Sequence, residues 1–77
     1  MANEKNKTFL LKITKSMCRK VYPVLKPGDN IEVSFNAKFG KGDLVLVSHN
    51  DKQWIERYSK NLDKYNIYPV VKVFMNS

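Results

Sequence analysis

Few side chains in this 77-residue chain are of the kinds that make or break bonds. Cys18 is followed by Arg19 and Lys20, whose positive charges favour a thiolate over a thiol. No histidine is paired with it, so Cys18 reads as incidental. His49, the one histidine, stands in the polar stretch "SHNDK" with no cysteine or second histidine near it, which suits an exposed turn better than a metal site. Asp29, Asp43, Asp51 and Asp63 fall in separate turn-like stretches, where a carboxylate accepts hydrogen bonds from nearby backbone amides. Neither a metal nor a cofactor is expected. Trp54 and Tyr58 share "QWIERYS" with the basic Arg57, and aromatic residues beside basic ones can stack nucleic-acid bases. Aromatic residues in strands more often pack on a core or on a cross-strand neighbour.

These residues need a frame, and the frame reads as strands. "TFLLKIT" (8–14) alternates Phe9, Leu11 and Ile13 against Leu10, Lys12 and Thr14, the period of a half-buried strand. Residues 15–22 lose that period and read as an irregular loop, and Pro27-Gly28-Asp29 marks a tight turn. "NIEVSFNA" follows, with Ile31, Val33 and Phe35 on one face and Glu32, Ser34 and Asn36 on the other. "LVLVS" is a continuous apolar run, as expected of a strand at the sheet centre with both faces covered. "HNDK" is a short hairpin connection and "QWIERYS" the return strand. "KNLDKYN" is polar and turn-rich. "IYPVVKVFM" is a last strand, with Pro69 placed near its beginning or on an edge. No helical spacing is sustained anywhere. The predicted fold is all-β: five strands joined by short turns in a small coiled sheet or a partly closed barrel, residues 8–77 after a basic polar tail over 1–7.

Composition narrows the role. A chain this short has room for one modest core, and Cys18 alone cannot form an internal disulfide, so help from a second chain is a reasonable expectation. A lone cysteine suits a reducing cytoplasm. "MANEKNK" has no apolar segment of signal-peptide type, and no apolar run is long enough to span a bilayer, so a soluble cytoplasmic protein is expected. Residues 1–28 hold seven Lys/Arg against Glu4 alone, a net of +6 out of +7 for the whole chain. Such an arm attracts phosphates or acidic surfaces, or serves only as a solvated face that repels other copies.

In order along the chain stand "FLLKITKSM", "YPVLKPGDNIEV", "GKGDLVLV", "WIERY" and "IYPVVKVF". This series resembles the LexA-like and signal-peptidase-like serine peptidase family, over residues 8 to 75. That family's pattern is S-M-x-P-T-L-x-x-G-D before a hydrophobic strand. A second G-D-[IL]-V-x-V follows, then a hairpin whose return strand carries K-R. The paired Gly28-Asp29 and Gly42-Asp43 are the most telling part of the likeness. The fold it implies is like the LexA C-terminal domain.

The resemblance also implies a chemistry, and its residues are missing. In the family a serine hydroxyl attacks a peptide carbonyl, and a lysine made neutral by burial removes the hydroxyl proton. Aligned without gaps back from Gly28-Asp29, the serine position falls on Lys20. Ser16-Met17 is the alternative pair, at the cost of four inserted residues, "CRKV". Such an insertion re-aims the hydroxyl by far more than catalysis tolerates. The family's K-R pair falls on Glu56-Arg57, so the base lysine is a glutamate, read as a surface carboxylate beside Arg57. A carboxylate with an ordinary pKa of about 4.3 is ionised near pH 7 and takes up a serine proton poorly.

The expectation is therefore a non-catalytic relative of the LexA-like peptidase fold that acts by protein binding or regulation. Its partner would be itself, through dimerisation, or another protein, including one of the same fold. No helix-turn-helix precedes the strands, so no attached DNA reader is expected. The alternative is a small basic barrel that binds nucleic acid through Lys5, Lys7, Lys12, Lys15, Arg19 and Lys20, with Trp54 or Tyr58 stacking. A third reading is residual peptidase activity from Ser16. The residues expected to bind are Lys12, Lys15, Arg19, Lys20, Trp54, Arg57 and Tyr58.

Overall fold

Side chains that alternate in polarity satisfy a sheet with one wet face, and the strands form where that alternation stands. A computed structural model describes residues 7–74. Its strands are β1 (Thr8–Lys12), β2 (Asn30–Ser34), β3 (Leu44–His49), β4 (Lys52–Arg57) and β5 (Asn66–Phe74). A short 3-10 helix, Lys60–Lys64, joins β4 to β5. Every pairing is antiparallel, in the order β1-β2-β5-β3-β4. The sheet is open, with β1 and β4 as its edges, and does not close into a barrel. Among the described residues there is no α-helix, and no helix is long and apolar enough to cross a membrane. Residues 1–6 of the basic tail, with Lys5, and Met75 of the last strand lie outside the described residues.

The main core lies on one face of the sheet. Ile31, Val33, Leu46 and Ile55 meet Ile13, Met17, Cys18, Val21 and Leu25, which come from the long connection between β1 and β2. Among the described residues the opposite face is covered only over β3, β4 and the start of β5. There Val45 and Val47 pack with Leu62 of the 3-10 helix, flanked by Trp54, Tyr58, Tyr65 and Ile67. Val45, Leu46 and Val47 are thus buried on both sides, which is why this strand reads as an unbroken apolar run. At the hairpin tip Asn50 adopts φ 55, the left-handed conformation that the favoured two-residue turns require at their first position.

Four details differ from the sequence reading. β3 is an inner strand, but the centre of the sheet is β5. Pro69 is therefore not on an edge strand but is the fourth of the nine residues of β5. It sits where β5 changes partner: residues 66–69 pair with β3 and residues 70–74 with β2. A missing N–H disturbs a ladder least at such a handover. The register shift between β2 and β5 falls beside it, at Glu32/Val33. β2 ends at Ser34, so Phe35 does not join Ile31 and Val33 but is 56% exposed, against Phe9 and Tyr68. Ser34, expected on the wet face, is fully buried, where its Oγ accepts from the amides of Asn36 and Ala37. Finally, the connections 13–29 and 35–43 are not short turns, and the first supplies much of the core.

Candidate binding site

The connection after β1 is a chain of turns. The Thr14 carbonyl accepts from the amides of Met17 and Cys18 at 3.1 and 3.3 Å. The Cys18 carbonyl accepts from Val21 and Tyr22 at 3.0 and 2.8 Å. These helix-like spacings turn Met17, Cys18, Val21 and Leu25 into the core and leave Ser16, Arg19, Lys20 and Tyr22 exposed. The Ile55 amide donates to the Met17 carbonyl at 2.9 Å, which fastens the turns along the outer edge of β4.

That bond sets two sequence-distant groups face to face. Lys20, Val21, Tyr22 and Val24 from the turns, and Glu56 and Arg57 from β4, line one open depression of ≈ 560 Å³. Glu56 is half-buried, and its Oε1 accepts from the Trp54 indole at 2.9 Å. Arg57 Nη1 donates to the Gly42 carbonyl at 3.0 Å, so the guanidinium is tied to the loop before β3. Val21, Tyr22 and Val24 supply its apolar surface, and Lys20, Arg57 and Glu56 add two cations and an anion.

Ser16 lines a neighbouring hollow of ≈ 510 Å³ with Arg19, Lys20, Asp51, Lys52, Gln53 and Trp54. It is exposed, and its Oγ lies 3.4 Å from the Thr14 hydroxyl. A third hollow, ≈ 420 Å³, lies among Lys15, Cys18, Arg19, Tyr22 and Pro27. Lys15, Arg19, Lys20, Lys52 and Arg57 accordingly ring the turns, while Lys12 stands apart on β1. Cys18 is buried, with its Sγ 3.7 Å from the Lys15 carbonyl, which shields the thiol from reagents.

No family model, curated protein or solved structure matches this chain.

The rings of Trp54 and Tyr58 pack inward. Both lie against the Val45, Val47 and Leu62 cluster; Trp54 meets Tyr65 edge-on at 5.6 Å, and Tyr58 meets Phe39 edge-on at 4.8 Å. The Tyr58 hydroxyl donates to Asp63 Oδ1, and this bond to a carboxylate raises the phenol above its ordinary pKa. Asp29 and Asp43 hold turns, accepting from the amides of Lys26 at 3.0 Å and Gly40 at 2.9 Å. His49 is exposed at the end of β3 with its ring against Tyr65. Among the described residues no three His, Cys, Asp or Glu side chains come together as a metal site would need. The sequence reading overlooked Tyr22 and Val24, exposed by 61% and 47% at the depression's rim. Pro23 between them was the available signal, because proline puts its neighbours at a turn.

Proposed function

We propose that this chain is a non-catalytic relative of the LexA-like peptidase fold that works by binding protein at the depression between the 14–25 turns and β4. One observation carries the reading. Lys20 and Glu56, on which the family's serine and lysine fall, line the same depression although 36 positions separate them in the chain. On that alignment a lysine takes the place of the nucleophile and a carboxylate held by an indole N–H takes the place of the base, and neither does the family's job. An extended segment of another protein fits such a place: Val21, Tyr22 and Val24 bury an apolar side chain, and Lys20, Arg57 and Glu56 pair with its charges.

A second reading has its own support. The ring of Lys15, Arg19, Lys20, Lys52 and Arg57, with the exposed Tyr22 among them, suits the phosphates and bases of a nucleic acid. Capture on the immobilised chain from its own cell extract separates the two readings. Protein that resists high salt, elutes with denaturant and is lost with the Tyr22→Ala, Val24→Ala variant supports the first. Nucleic acid released by salt supports the second, because phosphate contacts weaken steeply as salt rises.

A further inference from the structure

Two hollows share Lys20 as a wall, and they differ in chemistry. The depression on one side has the apolar surface of Val21, Tyr22 and Val24, against Glu56 and Arg57 at the end of β4. The hollow on the other side lies between the first turn after β1 and the β3–β4 hairpin. Most of the groups that line it are donors: the Ser16 hydroxyl, the Arg19 guanidinium, the Lys20 and Lys52 ammonium groups and the Gln53 amide. Asp51 is the one carboxylate of the hollow, so three cations face a single anion. Among the described residues, none of these three cations is bonded to Asp51 or to any other side chain. The bond from the Ile55 amide to the Met17 carbonyl at 2.9 Å holds turn and strand together, so both walls are in place before a ligand arrives.

On the reading of the depression as a protein-binding site, we propose that the Ser16 hollow is its anion subsite. It takes an Asp or Glu side chain of the partner, four positions along the partner's chain from the apolar side chain that sits on Val21, Tyr22 and Val24. The Arg19 guanidinium offers a carboxylate two parallel N–H donors, and Lys52 adds a second charge. Gln53 in the hollow and Arg57 in the depression are four residues apart on β4, about 13 Å at the rise of a strand. An extended segment lying along β4 advances at the same rise, and its residues four apart point the same way. The pattern of charge favours a polypeptide over a nucleic acid. Asp51 and Glu56 interrupt the cations and repel a continuous row of phosphates, whereas a peptide needs its negative charge at one place only. The rings of Trp54 and Tyr58 are packed on the second core and are not free to stack on bases.

The test is selection of a phage-displayed library of random peptides on the immobilised full chain. Bound sequences should carry Asp or Glu four positions from a bulky apolar residue. Replacing that acid by its amide in the synthetic peptide should weaken binding about tenfold in fluorescence anisotropy. High salt should erase this difference and leave the apolar contribution. Arg19→Gln, Lys52→Gln should lose the acidic preference and keep the apolar one, with the β-sheet circular dichroism unchanged, since both side chains are exposed. Asp51→Asn should tighten binding of the acidic peptide, a gain that damage to the fold cannot mimic. Apolar residues enriched without an acidic one overturn the anion subsite and leave the depression standing, as does an acidic preference that Arg19→Gln, Lys52→Gln retains. Selection of no peptide, or of peptides indifferent to Tyr22→Ala, Val24→Ala, removes the reading of the depression and this subsite with it. A mixed-sequence single-stranded oligonucleotide that binds more tightly than the selected peptide, and is lost with Arg19→Gln, Lys52→Gln, assigns the hollow to nucleic acid and overturns the proposal.

Discussion

The Trp54 indole donates to Glu56 Oε1 at 2.9 Å, two residues along one face of β4. The bond holds a half-buried carboxylate at the rim of the depression. Trp54→Phe keeps most of the ring but removes the donor, and should lower stability by about 1–3 kcal/mol in urea denaturation. Glu56→Gln keeps an acceptor oxygen and should cost less than about 1 kcal/mol. Glu56→Lys sets an ammonium against the indole N–H. It should be the most destabilising of the three.

Leu25 tests whether the turns after β1 are part of the core. It is fully buried while its near neighbour Val24 is 47% exposed. Leu25→Ala should cost about 2–5 kcal/mol, a large part of what a small domain has. Val24→Ala should stay within about 0.5 kcal/mol. The same urea titrations measure both.

Strands were legible because period-two alternation is local, and "TFLLK" and "NIEVS" form where it stands, while "QWIER" forms as the return of the hairpin. The turns over 14–25 were not. Met17, Cys18, Val21 and Leu25 follow a helix-like spacing, but over too few residues to stand out, and proline and glycine close by suggest a loop. Leu62 was hidden for a related reason: one apolar residue in "KNLDKYN" shows no period, yet it caps the second core. β5 could not be placed, since partner order is a long-range property and Pro69 argues for an edge. Of the candidate site, the alignment brought out Lys20 and Glu56. Their apolar neighbours Tyr22 and Val24 acquire meaning only once the turns lie against β4.

Asn50 carries the hairpin at φ 55. Asn50→Gly should be neutral or slightly stabilising, because glycine adopts positive φ freely. Asn50→Val should cost about 1–2 kcal/mol or more, since a β-branched side chain is strained there. Thermal melts followed by circular dichroism distinguish the two.

Tyr58 gives the fold an alkaline signature. Its phenol is raised by the hydrogen bond to Asp63, then by desolvation and by the carboxylate's charge. The protonated form therefore favours the folded state. The stabilisation is fully present below the unfolded pKa of about 10 and is lost as pH rises through the higher folded value. In a titration of phenolate absorbance, Tyr58→Phe should delete a late-titrating component and leave the others in place.

The most direct measurement is mass spectrometry of the full chain after incubation with a serine-reactive phosphonate, beside Ser16→Ala. With Ser16 exposed next to Thr14 and Glu56 bound by Trp54, no adduct should accumulate on either protein. A stoichiometric adduct on Ser16, absent from Ser16→Ala, would mean that a working nucleophile survives here and would contradict the account.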